Sequence, residues 1–107
     1  MAEQGKNEKV YVDRSQIHGR GLFARLPLKT GQLIGTYQGP VVEEDGIYVL
    51  WIEEDDGSWT GFDGKNEMRF MNHASEPNAE MDGLHCFALQ NIDAGAEITI
   101  DYGWDDS

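Results

Sequence analysis

The apolar runs of this chain are short, and glycine, proline or acidic residues interrupt them every few positions. That rules out long amphipathic helices and points to many short strands joined by tight turns. Lys9-Val10-Tyr11-Val12 opens the series, and Ile17 to Ala24 reads as a two-glycine turn feeding an apolar strand. After a turn at Pro27 to Gly31, Gln32 to Val42 is the longest strand-like stretch, with glycine breaks that mark bends. Ile47 to Ile52 and Trp59 to Phe62 flank Asp56-Gly57, a strong hairpin signal. Leu84 to Ile92 and Glu97 to Tyr102 complete the set, joined by Asp93-Ala94-Gly95. Only Glu67 to Met71 has the makings of a helical turn. The expected fold class is therefore mostly β with little helix. With 107 residues and no repeat or linker, one domain over 9–107 is expected, after a frayed polar stretch at 1–8.

Charge is unevenly spread. The net charge is -12, yet residues 1–29 carry six basic and three acidic side chains. Two basic and seventeen acidic side chains follow. Such a field repels nucleic acid and attracts a basic partner, although solubility alone would also account for it. No apolar run reaches 18 residues and the polar start lacks a signal-peptide core, so no membrane span and an intracellular protein are expected. The lone Cys86 excludes an internal disulfide and a multi-cysteine zinc site within one chain. In its apolar setting it reads as a small buried hydrophobe.

Arg69-Phe70-Met71-Asn72-His73-Ala74-Ser75-Glu76-Pro77-Asn78-Ala79 has no clean period of 2 or 3.6. Polar residue types in such a segment suit a loop that holds a ligand. Gly19-Arg20-Gly21 lacks the third glycine and the following helix of a dinucleotide fingerprint. It is either an ordinary tight turn or a place where backbone approaches a ligand. Asp56, Ser58, Thr60, Gly61 and Glu67 fall at calcium-loop spacing, but the flanks are strands and two ligands would be hydroxyls. The acidic runs at Glu43 to Asp45 and Glu53 to Asp56 read as solvated turns, with no spacing that singles out a catalytic pair. His18, His73 and His85 are too scattered to form a metal set.

Four stretches occur in a telling order: Gly19 to Ala24, Tyr37-Gln38-Gly39, Arg69 to His73 with Pro77-Asn78-Ala79, and Ile92 to Gly95 followed by Glu97 to Gly103. Together they resemble the SET-domain protein lysine methyltransferases, over roughly Val10 to Trp104. Asp63-Gly64-Lys65-Asn66 resembles a compressed lead-in to the third motif. The resemblance implies the SET fold (a β-clip) of several small twisted sheets with a C-terminal pseudoknot. It implies S-adenosyl-L-methionine as cofactor, held by His18, Gly19, Arg20, Gly21, Leu22, Arg69, Asn72 and His73, with Tyr48 as a further candidate. Tyr37 and Tyr102 would line the channel that admits the target lysine. Tyr102 matches the catalytic tyrosine and also adjoins the cofactor.

These residue types suit the chemistry. Only a neutral lysine amine can attack a methyl group, so the channel should be dry and uncharged while the surface outside attracts the substrate. The implied partner is a basic protein such as a histone or histone-like protein, in the cytoplasm, or in the nucleus if the substrate is a eukaryotic histone. Relatives often place Ser-Cys after Asn-His and add a cysteine-rich tail that completes a zinc cluster. Here Ala74-Ser75 follows and no such tail is present. A minimal zinc-free form is expected, with the cofactor covered by Trp104, by a second subunit of a homodimer or by the substrate. Ile100, two residues before Tyr102, does not specify how many methyls are added. A non-catalytic module of the same fold, binding a basic peptide, is the alternative.

Overall fold

The computed structural model describes residues 7–101, so Tyr102 and Trp104 lie outside the described residues. Among the described residues, ten short strands and one 3-10 turn make up the regular structure. They are β1 (Val10–Arg14), β2 (Arg20–Ala24), β3 (Leu33–Thr36), β4 (Val41–Val42), β5 (Val49–Glu53), β6 (Trp59–Asp63), the turn Glu67–Phe70, β7 (Asn72–His73), β8 (Ala79–Asp82), β9 (His85–Ala88) and β10 (Glu97–Ile100). They form three small sheets, ordered β1-β2-β10-β7, β3-β9-β8 and β4-β6-β5. Among the described residues no helix is long and apolar enough to cross a membrane.

The longest strand-like stretch does not form one strand. β3 and β4 belong to different sheets. Gly39 sits between them, where a Cβ would lie 1.8 Å from the carbonyl oxygen of Asp63. The chain bends there against the end of β6, and only glycine leaves room for it. The Asp56-Gly57 hairpin forms as the sequence suggests, with Gly57 at φ 88° and β5 antiparallel to β6. β8 was not expected from sequence. Its alternation works with unusual residues, Ala79 and Met81 turning inward while Glu80 and Asp82 face solvent.

One core lies between the first two sheets, and Leu50 and Phe62 of the third pack against it half-buried. Leu22, Ile34, Met68, Cys86 and Ile98 are fully buried within it. Burial pushes the Cys86 thiol up to about 12, with the Glu80 carboxylate adding a smaller push.

β10 joins the distant parts of the chain. It pairs antiparallel with β2 and parallel with β7, placing Thr99 beside Asn72 and Ile100 beside His73. Beyond β7 the side chain of Asn78 takes over the pairing. Its Nδ2 donates to the Glu97 carbonyl at 2.8 Å, and the Thr99 N–H donates to its Oδ1 at 2.9 Å. The two motif stretches at 69–79 and 97–101 are thus one structural unit.

Candidate active site

Two cavities meet at a common wall made by Ile47, Tyr48, Arg69 and Met71. The first, about 730 Å³, lies between the Ile17–Arg20 turn and the segment Phe70–His73. It gathers His18, Gly19, Arg20, Tyr48, Arg69, Asn72 and His73 from three separate parts of the chain. Gly21 and Leu22 are not in its lining. Leu22 is buried in the sheet beside Ile98 of β10, and Gly21 packs against Glu97.

Hydrogen bonds shape the turn that walls this cavity. Gly19 adopts φ 46°, a left-handed conformation that favours glycine, and its carbonyl accepts the Ser15 N–H at 2.8 Å. Ser15 Oγ accepts the Ile17 N–H at 2.9 Å and donates to the Glu97 carboxylate, 2.8 Å from Oε2. Asn72 Nδ2 lies 2.8 Å from that same oxygen and 3.1 Å from Ser15 Oγ and from the carbonyls of His18 and Arg20. The Asn72 amide therefore fastens the turn to β7 and β10. A Cβ at Gly21 would lie 2.3 Å from Glu97 Oε2. The glycine there makes room for the chain's own carboxylate. Ser15 and Glu97 were missed in the sequence. They are 82 positions apart, and neither carries a local signal that it meets the other.

The second cavity, about 490 Å³, has a buried wall of Tyr37, Met68, Met71 and Ile100. Its outer lining includes Trp51, Trp59 and two exposed carboxylates, Asp45 and Asp101. The Tyr37 hydroxyl donates to the Tyr48 carbonyl, which also accepts the Gly64 N–H at 2.9 Å. A Cβ at Gly64 would sit 2.5 Å from that hydroxyl oxygen, so the glycine preserves the place of the ring. Tyr37 is fixed from both sides.

Arg69 stands in the shared wall. Its Nη1 donates to the carbonyls of Lys65 and Asn66, at 2.9 Å each. Its guanidinium lies 4.3 Å from the Phe70 ring centre and 5.4 Å from that of Tyr48. The buried wall is neutral, but Arg69, Asp45 and Asp101 border the cavity. His73 Nδ1 lies 3.6 Å from Asp101 Oδ1. Tyr102 follows Asp101 in sequence and lies outside the described residues.

Among the described residues, no group of three or more His, Cys, Asp or Glu side chains could hold a metal ion. The calcium-loop spacing corresponds to a hairpin end instead. Asp56 Oδ1 accepts the Ser58 N–H at 2.9 Å and its hydroxyl at 2.6 Å, and these bonds hold the Asp56 carboxyl below its usual range. His85 is tied elsewhere, with Nδ1 2.9 Å from Thr36 Oγ1.

The SET domain model matches residues 19–103. The chain belongs to the SET-domain family. Curated relatives include a human protein named histone-lysine N-methyltransferase 2B, 32% identical over 117 residues, covering 89% of this chain and 4% of that protein. Another is the Candida albicans protein named histone-lysine N-methyltransferase, H3 lysine-36 specific, 31% identical and covering 91% of this chain and 14% of that protein. This SET domain thus spans a small part of the relatives it matches. Among solved structures, the methyltransferase domain of human PR domain-containing protein 2 superposes with a TM-score of 0.75 at 20% identity, covering 97% of this chain and 83% of that one. An inhibitor-bound Polycomb Repressive Complex 2 from Chaetomium thermophilum, a humanized mutant, gives 0.77 at 23%, covering 94% and 15%. Both likenesses concern the fold.

Proposed function

We propose that this SET domain is a protein-lysine N-methyltransferase. Its methyl donor is S-adenosyl-L-methionine, and its acceptor is a lysine of a basic protein, a histone or a histone-like one. The observation that carries the reading is the pair of cavities with a common wall, one built on Asn72-His73 and the other on Tyr37. Two ligands could react across such a wall without sharing an entrance. The names of the relatives support the reaction class.

The residues present fit the donor. A cavity of about 730 Å³ lies within the usual range for cofactor sites. His18, Arg20 and His73 offer polar partners for an amino-acid and sugar moiety, while Tyr48 and Phe70 offer flat apolar surface for a base. The donor, when bound, supplies an electrophilic methyl group on a sulfonium. Everything else is the chain's task. A lysine entering from solvent is an ammonium with pKa near 10.4, and freeing its amine at pH 7 costs about 4.6 kcal/mol, from roughly 3.4 pK units. Asp45 and Asp101 favour the charged form where the cavity meets solvent. Deeper, the wall of Tyr37, Met68, Met71 and Ile100 offers no carboxylate, so desolvation favours the neutral amine there. Attraction outside and deprotonation inside are thus separated in space. Holding nucleophile and methyl in line can supply several kcal/mol more. By its match to the family motif, Tyr102 would orient the amine through its hydroxyl, without adding negative charge.

The deciding experiment incubates the protein with labelled donor and a panel of basic proteins, read by mass spectrometry. Label on a lysine is expected. Tyr102→Phe should lower transfer by at least about 100-fold, the scale of one positioned proton-handling group, with donor affinity retained. Transfer to no lysine, with donor demonstrably bound, would leave only a binding module. Equal rates in variant and parent would remove Tyr102 from the mechanism. A histone acceptor would place the protein in the nucleus, and another basic protein would allow the cytoplasm.

A further inference from the structure

The hairpin of β5 and β6 carries an aromatic, acidic face that alignment of lysine and methyl does not require. Glu53 pairs with Trp59, and Trp51 with Gly61, so these four positions share one side of the pleat. Gly61 has no side chain, and the Trp51 ring lies over it, 2.9 Å from where a Cβ would stand. The ring is held by its Nε1, which donates to Asp45 Oδ1 at 3.1 Å. Trp59 is 59% exposed, and Glu53 beside it is exposed as well. Trp51, Trp59 and Asp45 all line the 490 Å³ cavity.

Among the described residues, no lysine or arginine forms a salt bridge with the carboxylates of this face. Of the chain's eight lysines and arginines, six fall within residues 1–29. Lys65 pairs with Asp63 at 3.1 Å, and Arg69 is stacked on Phe70. Among the described residues neither Asp45 nor Glu53 forms an ion pair.

We propose that this face is a second subsite, which takes an arginine side chain of the substrate polypeptide a few residues from the target lysine. The inference rests on the reading of a basic polypeptide as substrate. A guanidinium stacks flat on tryptophan while its N–H fork meets a carboxylate. Lysine offers neither the plane nor the fork. A stacked ring of Trp59 with Glu53 in register beside it matches that combination. Polyanions such as nucleic acid are disfavoured by the net charge of -12. An extended peptide rises about 3.3 Å per residue, so a flanking residue reaches the hairpin while its lysine enters the cavity.

The test uses short acetylated peptides with one central lysine and a single arginine placed at each other position in turn, in an alanine-serine background. Methylation rates and direct binding, by tryptophan fluorescence, are measured side by side. One arginine position should raise kcat/KM and affinity about tenfold over the arginine-free peptide, the combined scale of a stacked cation and a charge pair. Lysine at the same position should give much less. Glu53→Gln should lose most of that advantage while methylating the arginine-free peptide at the parental rate. Trp59→Ala should lose the advantage too, with melting curves as the control for folding. An absence of any preferred arginine position overturns the subsite, as does an advantage that survives both substitutions. Should the parent methylate no peptide at all, the enzymatic reading fails, and the binding arm alone decides the subsite by the same criteria.

Discussion

The two sides of the site are built on different principles. On the side of the larger cavity, polar side chains from far apart in the chain are fastened to one another. Ser15, Asn72 and Glu97 form a closed set of hydrogen bonds, and Gly21 leaves the space they need. On the other side, the β4-β6-β5 sheet presents Trp59 and Val41 to solvent, and Ile47, in the turn before β5, is 92% exposed. The acidic turns of this sheet are held by bonds close in sequence, Asp45 by Trp51 and Asp56 by Ser58. A ligand whose structure never varies calls for a pocket set before binding. A polypeptide whose neighbours vary can be met by a surface completed only on contact. The contrast teaches where substitutions should harm the fold and where they should alter selectivity alone.

The contrast would break first at Asn72. Asn72→Ala removes the amide that ties the turn to β10 and leaves Glu97 short of a donor. A loss of about 2 kcal/mol is expected, since an orphaned polar group costs that order, and the melting temperature should fall by roughly 10 °C. Donor affinity, followed by calorimetry, should drop with it. A parental melting temperature and affinity would show that the fastened side is not fastened by Asn72. Gly21→Ala comes next. Its Cβ would displace the Glu97 carboxylate, for an expected cost of about 1–2 kcal/mol with weaker donor binding. Chemical denaturation of the variant and the parent would measure it.

Gly61→Ala sharpens the contrast from the opposite side. The added methyl pushes the Trp51 ring, so the peptide KM should rise severalfold while donor affinity stays put. The stability cost should be about 1 kcal/mol, the low end for overpacking. A fall in donor affinity equal to that in Gly21→Ala would erase the distinction between the two sides. The smallest effect belongs to Cys86, beneath both. Its thiol titrates near 12 in the folded chain against an ordinary 9.0. Folded and unfolded forms are both protonated below pH 9, so no stability is lost there through this group. Above that, the unfolded thiol ionises first and stability declines toward pH 12. Alkylation at pH 8 should accordingly be slow until the protein unfolds.

Local chemistry made most strand positions legible. The alternation and β-branched residues of Trp59 to Phe62 and Glu97 to Ile100 lie where strands β6 and β10 form. β8 was not legible, because Ala79-Glu80-Met81-Asp82 has low strand propensity and is held by pairing with β9. The split of Gln32 to Val42 came from a contact with Asp63, far along the chain, which local pattern cannot convey. Within the site, motif residues such as Asn72 and His18 stood out. Their supports, Ser15 and Glu97, did not, because an ordinary serine and glutamate gain meaning only when the fold joins them.

Among the described strands β10 comes last in the sequence, yet it occupies an interior place between β2 and β7. During synthesis, the edges of β2 and β7 must therefore wait unpaired until residues 97–100 emerge. Both the sheet and the larger cavity close in that one late, long-range event. Such closure is slow, because a large loop must be ordered before its contacts form. The waiting edges are open to other chains in the interval. Expression conditions that keep the local concentration of nascent chains low should raise the yield of folded protein more than any stabilisation of the strands made first.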